Sequence, residues 1–527
     1  APGGCIEYPT DKSSFWWWWR ATRISPNADS ITEFPFFSFI LGDLHPHVMA
    51  VPYVLLAFGL ALSFWRRDQG LALDTWRQSP ALLPVSAAVL GSLGFLNAWD
   101  LPTLGFVAAA LTFARNATRG AGLKAALGGS LGFLLPLGAL ALLLYAPFYA
   151  GFSSQASGLA PVTDGATRPL HGALFWAPLL LVALPLPLVL LGSARPGLAA
   201  AKLQLAAAAP VAIVLLWALL VAVDGGPGSL GDAISARGWN WATAAFFGAA
   251  LAVCGGALLV AVEAEDGEQR ALAPVLVAIA VGVLLVYGAE LFYVQDLFRS
   301  RLNSVFKLYY QAWLLLGAGG AVGLWWVADA WRPRASLAGM AKGVWGGAAA
   351  LAVAGGLLYP LGATLSRTEG LARPGRTLDG MAFARATLTD DYLAASWLAE
   401  RAGRDERIVE AVGNPYSAAG RISAWTGLPT VLGWPGHELQ WGRSQAAVDR
   451  RKLDVDTLYS TPSLADALAI LQKYDVTYVF VGSVEQDSYP AQGLEKFDSA
   501  LPAVYRNGRA VIYRALPGPP PLGAAPR

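Results

Sequence analysis

The stretch GDLHPHV, from Gly42 to Val48, sets Asp43, His45 and His47 at alternate positions in a chain that holds only 4 histidines. Pro46 biases His45 toward extended backbone, and an extended chain sends alternate side chains to one side. Asp43, His45 and His47 are therefore predicted to converge on one point. A carboxylate with two imidazoles suits a divalent metal ion such as zinc or manganese. The same carboxylate flanked by imidazoles suits a general base, or the holding of a phosphate. A plainer arrangement has the three residues capping a helix at a membrane interface. Just upstream, EFPFFSF embeds Glu33 among phenylalanines, a setting that penalises a charged carboxylate and suits proton exchange. Glu33 is the second catalytic candidate beside Asp43; pairing with Arg20 or Arg23 competes with that role.

Two further stretches carry chemistry. In DLFRSRLNSVFKLYYQAW (296–313), a helix would put Arg299, Asn303 and Lys307 on one stripe. Arg301 then points elsewhere unless the helix breaks near Asn303. Arg301, Asn303 and Lys307 are candidates for holding a lipid phosphate or pyrophosphate, with ordinary headgroup contact as the competing account. GRISAWTGLPTVLGWPGHELQWGR (420–443) holds tryptophans, glycines and a His437–Glu438 pair. Trp434, His437 and Glu438 suit a sugar, whose C–H faces stack on aromatic rings; the alternative is a loop that docks a soluble domain on the membrane. Asp100, in the NAWD turn, joins the substrate-binding candidates as another acid at a membrane edge.

The elements that must carry these residues are membrane helices. Of 527 residues, 55% are hydrophobic and 14% charged, with 57 glycines and 20 tryptophans. A soluble globular surface of that length needs more charge. The formal net charge is +2, and no nucleic-acid partner is expected. Apolar runs predict about ten transmembrane helices of roughly 20 residues, near 48–65, 81–98, 101–115, 125–147, 172–193, 203–223, 242–262, 271–290, 309–328 and 342–360. Arg66, Arg67, Arg77, Arg115, Arg119, Lys124, Arg195, Lys202, Arg332, Arg334 and Lys342 share one set of loops, cytoplasmic by the positive-inside rule. The acidic loop EAEDGEQR dissents, but acids weigh little in that rule. His45, His47, His171 and His437 then fall on the external side, with Asp43, Asp100, Arg301 and Lys307.

The resulting organisation is an external N-terminal segment with interfacial aromatics (1–47), a transmembrane helical domain (48–360), an extracytoplasmic α/β domain (361–516) and a disordered tail (517–527). In the α/β region, DDYLAASWLAERAG and SLADALAILQKY read as helices, and RIVEAVG and VTYVFVG as strands. VTYVFVG is predicted to be central in its sheet. Cys5 and Cys254 lie far apart, and no structural disulfide is expected.

ITEFPFFSFILGDLHPHVMAVPY, NAWDLPT, YAPFYAGFSSQASG, ELFYVQDLFRSRLNSVFKLYYQAWLLLG and TGLPTVLGWPGHELQW together resemble the uncharacterised YYY-motif family of polytopic prokaryotic membrane proteins. The family is a domain of unknown function. More distantly the chain resembles membrane glycosyltransferases of the C fold class. That resemblance implies many membrane helices, acidic external loops, an external α/β domain and a polyprenyl-phosphate sugar as donor. The tyrosine-rich motif that names the family lies upstream of ITEFPFF and is not in this chain. The chain is therefore expected to be the C-terminal part of the functional protein, with the N-terminal helices or a partner subunit completing it.

The leading expectation is a multi-pass protein of the cell membrane that transfers a sugar from a polyprenyl-phosphate donor on the extracytoplasmic face. Asp43 would be the base, with a divalent metal at Asp43, His45 and His47, and membrane lipid and a lipid-linked sugar as partners. A transporter or flippase of a lipid-linked or small polar substrate is the alternative, though transport sites usually lie at the bilayer midplane. A non-catalytic membrane scaffold is the third.

Overall fold

Runs of leucine, alanine and valine with few charges fold as long helices here, because a chain in lipid must satisfy its backbone polar groups internally. The computed structural model describes residues 18–19, 21–25, 30–118, 122–154, 156–225, 229–332, 336–372 and 377–515. Arg20 as a partner for Glu33, Arg119 and Arg334, Cys5 and the tail at 517–527 lie outside the described residues. The chain divides into two compact units, residues 1–373 and 374–527.

In the first unit, the short helices α1 (Pro35–Leu41) and α2 (Pro46–Met49) lead into α3 (Val51–Trp65), α4 (Leu82–Leu96) and α5 (Asp100–Ala117). Then follow α6 (Gly122–Leu144), α7 (Pro169–Ala183), α8 (Pro185–Ser193) and α9 (Pro196–Gly225). The long helical runs α10 (Ser229–Glu263), α11 (Ala273–Leu291), α12 (Leu302–Ala330) and α13 (Ser336–Arg367) follow, with short helices at Leu73–Gln78, Ala146–Gly151 and Gly267–Ala271 in the connections.

Six of these, α6, α9, α10, α11, α12 and α13, are long and apolar enough to cross a membrane, and α7 with α8, bent by 46°, makes a seventh. The break falls where Pro185 opens the second half, since proline cannot donate the helical hydrogen bond. The expected ten included the regions of α3, α4 and α5, all of which are helical. However, α3 and α4 have only 15 residues each, about 22 Å at 1.5 Å per residue, against roughly 30 Å of hydrocarbon. α5 carries Asp100, Arg115 and Asn116 along its 18 residues.

α11 is the spine of the bundle. Leu276, Ile279, Val283, Val286 and Tyr287 pack in one core with Phe247 and Cys254 of α10 and with Tyr309, Ala312 and Leu316 of α12. The α11–α12 contact is close because each helix offers a glycine. A Cβ on Gly282 would lie 2.7 Å from Leu316, and one on Gly319 would lie 2.6 Å from Ile279, the small-residue device of membrane helix pairs. Beyond the end of α11, β1 (Gly158–Pro161) pairs antiparallel with β2 (Phe292–Gln295). At the N-terminal end, Trp18, Phe34 and Phe37 form an aromatic cluster with Ala363 of α13. Cys254 is buried and free.

The second unit holds a four-stranded sheet in the order β3 (Arg407–Val409), β4 (Val476–Val481), β6 (Ala510–Arg514), β5 (Ala503–Asn507). β3 and β4 are parallel, and the other pairs antiparallel. Every residue of β4 is buried. Tyr478 and Phe480 face a cluster with Ala394 and Leu398 of α14 (Thr389–Arg401). Val479 and Val481 face the other way, toward Leu458 and Tyr459 of α15 (Gln445–Ser460) and Leu471 of α16 (Leu464–Lys473). This is the two-fold alternation of a strand covered on both faces.

Candidate functional site

α1 starts on Pro35, whose missing N–H is no loss in a first turn, and stops at Gly42, which has φ +75°. There the Gly42 N–H donates to Phe39 O at 3.2 Å and the Asp43 N–H to Ser38 O at 2.9 Å, a C-cap of Schellman type. Nothing lies within 4 Å of a Cβ at Gly42, so the backbone angle, and not space, asks for glycine. The turn brings an Asp43 oxygen, a Glu33 oxygen and a His47 ring nitrogen within 4.8 Å of one another.

The two histidine rings stay near each other, with centroids 5.6 Å apart, but their surroundings differ. His45 keeps extended backbone, φ −59° and ψ 150°, but a helical turn begins at the next residue and ends the alternation. His45 is half exposed at 51% and its Nδ1 meets Asp43 Oδ1, which also accepts the His45 backbone N–H at 2.9 Å. His47 is 1% exposed. Its ring sits edge-on to Phe306 at 4.5 Å and Tyr310 at 4.7 Å, and its Nε2 lies 3.9 Å from Glu33 Oε2. Glu33 thus joins Asp43 and His47, while His45 stays against Asp43. Glu33 accepts from Ser38 Oγ at 2.9 Å, while Arg23 donates to the carbonyl of Thr22 and lies over Trp19. Burial lowers the His47 pKa below its ordinary value, with Lys307 adding to the effect and Glu33 opposing it. Burial raises that of Asp43, but hydrogen bonds and charge from His45 outweigh it and the net direction is down. A carboxylate next to a neutral imidazole is the result.

α12 supplies the opposite wall. Lys307, Tyr310 and Gln311 share one helical face at i, i+3 and i+4. Lys307 Nζ lies 3.1 Å from His47 Nδ1, across 260 residues of chain, and Glu33, Asp43 and Asp100 all act on its charge. Asp100 is fully buried at the start of α5. Its Oδ1 accepts from Asn97 at 2.7 Å and from the Gln311 amide. Among the described residues, Asp43 Oδ2, Asp100 Oδ2, His47 Nε2, Gln311 Oε1 and the Tyr310 hydroxyl are buried without a hydrogen-bond partner. Buried polar atoms normally find partners, so this concentration of open valences marks a place built for something else. Tyr310 and Gln311 were not singled out in the sequence; their helical spacing from Lys307 was the available signal.

Arg301 and Asn303 are engaged elsewhere. The helix begins at Leu302, after a turn in which Arg299 has φ +46°, so the stripe from Arg299 to Lys307 does not form. Arg301, 5% exposed, donates to Glu290 at 3.0 Å and to Thr167 Oγ1 at 2.6 Å. Glu290 also accepts from Tyr309 at 2.9 Å and from the Thr167 N–H at 3.0 Å. Asn303 donates to Asp296 at 2.6 Å. These contacts tie α11, α12 and the β1–α7 connection together.

The segment from the N-terminal aromatics through α12 matches one family model, described as an uncharacterized membrane protein (DUF2298), over residues 4–316. That is more than half of the chain. The chain belongs to this family. No curated protein matches it significantly. The family region contains Glu33, Asp43, His45, His47, Asp100, Arg301, Asn303 and Lys307, and stops short of the second unit.

Trp434, His437 and Glu438 are in that second unit. Trp434 and His437 rings lie 5.0 Å apart, each about equally close to Tyr416, at 5.5 and 5.4 Å. Trp434 Nε1 donates to Ala419 O at 2.6 Å, and Glu438 pairs with Arg443 at 2.7 Å. Tyr416 is 79% exposed and holds φ +63°, a conformation that costs a non-glycine residue about 1–2 kcal/mol. A buried ionic knot lies nearby in the chain fold: Arg421 donates to Asp391 and to Glu485, both at 2.9 Å. The Glu485 oxygens also cap the Ala411 and Gly482 N–H groups. It is satisfied throughout and is structural.

Proposed function

We propose that this protein is a multi-pass enzyme of the cell membrane that transfers a sugar from a polyprenyl-phosphate donor to an acceptor on the extracytoplasmic face. The observation that carries the reading is the meeting of Glu33, Asp43, His47, Asp100 and Lys307 from three distant segments around atoms that lack partners. Asp43, assisted by Glu33, takes the proton of the acceptor hydroxyl. The acceptor oxygen bonds to the anomeric carbon as that carbon's bond to the phosphate oxygen breaks, and the electron pair leaves on the polyprenyl phosphate. Lys307 offsets the growing phosphate charge. Arg301 and Asn303, given their partners, hold the bundle and not the donor. Within the second unit itself, the exposed Tyr416, with Trp434 and His437, offers an aromatic face on which a sugar ring can stack, and Glu438 a hydroxyl acceptor.

In the same reading α3, α4 and α5 enter the membrane as short elements beside the seven long spans, giving about ten apolar segments. The Lys- and Arg-bearing loops lie in the cytoplasm, and the second unit forms an extracytoplasmic α/β domain. A transport reading finds support in Asp100 and Gln311, which are wholly buried. Sugar moved onto an acceptor, as against lipid-linked sugar carried unchanged across the bilayer, separates the two, and mass spectrometry of lipid co-purified with the protein tests for the donor. Retention of a polyprenyl phosphate or its sugar conjugate fits transfer, whereas bulk phospholipid alone counts against it.

A further inference from the structure

We infer that Glu33, Asp43 and His47 form the site of one divalent transition-metal cation, manganese or zinc, and that His45 is not a ligand but the residue that orients Asp43. The donor set is two carboxylates and an imidazole whose nearest atoms lie within 4.8 Å of one another. Bonds of about 2.0–2.2 Å hold donor atoms at most about 4.4 Å apart, so the three need close only slightly around an ion.

The second observation is independent of the cluster's composition. His47 is 1% exposed, and its Nε2, turned toward Glu33 at 3.9 Å, has no hydrogen-bond partner among the described residues. Asp43 divides its oxygens in the same sense. Oδ1 is occupied by the His45 backbone and ring, and Oδ2 is buried and free of partners. Both open atoms belong to residues whose orientation is fixed, His47 by Phe306 and Tyr310 and Asp43 by the left-handed turn at Gly42. A metal site needs such support behind its ligands.

The donor chemistry points the same way: two carboxylates and an imidazole suit a divalent cation. Lys307 stands behind the ring at Nδ1, so the ion is confined to the Nε2 side. An imidazole among the ligands favours manganese or zinc over calcium or magnesium. The inference does not depend on sugar transfer: an ion can bind where no donor is present, and an inactive protein can still be a metalloprotein.

The test uses the full chain in detergent, stripped with chelator and titrated with manganese chloride or zinc chloride without any sugar donor. One equivalent should bind. Glu33→Gln, Asp43→Asn and His47→Gln should each weaken binding by about ten-fold or more, and His45→Gln should cost less than any of them, as for a residue acting through a ligand. Because these variants touch a packed site, the unsubstituted protein carries a second readout: pulsed electron paramagnetic resonance of bound manganese should show one directly coordinated histidine nitrogen. No stoichiometric binding, a signal without nitrogen, two coordinated histidines, or magnesium and calcium binding as tightly would overturn the assignment.

Discussion

His47 and Arg301 are both buried and both lie near acids, yet their surroundings give them different tasks. Arg301 meets acceptors at both terminal nitrogens, in Glu290, Thr167 and the Ala289 carbonyl, although its Nε is buried without a partner among the described residues. Removing one partner of such a pair strands a charge, so Arg301→Met or Glu290→Gln should destabilise the protein by about 3–5 kcal/mol. The double variant should recover part of that loss in a thermal-unfolding cycle. Equal and additive losses would mean that the two do not act as a pair. In the second unit, Lys496 is 7% exposed, and burial lowers its pKa from 10.5 to about 8. Between pH 8 and 10.5 the unfolded chain therefore holds the extra proton, and stability should rise with pH across that window. Lys496→Met should flatten the rise; a wild-type profile that falls there contradicts the assignment. Asp43, His45 and His47 were legible as a local group because they sit within one short stretch of sequence. The entry of Glu33 into that group was not, because it depends on where a turn of helix replaces extended chain. Lys307 was readable as a cation near a membrane edge, but its contact with His47 spans 260 residues, and no local pattern encodes that.

At the scale of elements, the wall that carries Lys307, Tyr310 and Gln311 is held by the close α11–α12 contact. Gly282→Leu or Gly319→Leu inserts side chain where a Cβ already lies 2.7 or 2.6 Å from a neighbour. Overpacking of this kind costs about 1–3 kcal/mol. It should lower the melting temperature and weaken any ligand held between α12 and the Asp43 turn. A substitution that leaves both unchanged would show that the helices part without consequence. Gly42→Ala tests the turn itself, since the alanine methyl has room but the +75° angle disfavours it. About 1 kcal/mol of stability is expected to go, together with the aim of the Asp43 carboxylate. Apolar runs located the long helices of the bundle in the sequence, because hydrophobic length is a strong signal. Six or seven of them are long and apolar enough to cross a membrane; α3 and α4 end after 15 residues, and the pattern fixes helix ends poorly. The strand at Val476–Val481 was legible from its β-branched and aromatic residues. Its neighbour β6, and β5 beyond it, were not singled out.

For the whole molecule, composition settles the membrane class and the family places the N-terminal 4–316 region in it. The proposed orientation sets Gly42 and Gly436 on one side and Arg66 on the other. Single cysteines at these positions, probed with a membrane-impermeant thiol reagent in intact cells, should label at 42 and 436 and stay unlabelled at 66. Labelling of 42 and 66 from the same side would remove the external site. The account stands or falls on whether the Asp43 cluster moves sugar. The direct measurement is transfer of labelled sugar from a polyprenyl-phosphate donor by the full chain in proteoliposomes, with Asp43→Asn beside the wild type. Loss of a positioned base should lower the rate about 10²–10⁴-fold, while His45→Gln keeps most of it. An Asp43→Asn protein that transfers sugar as fast as the wild type, or a wild type that transfers none, would contradict the account.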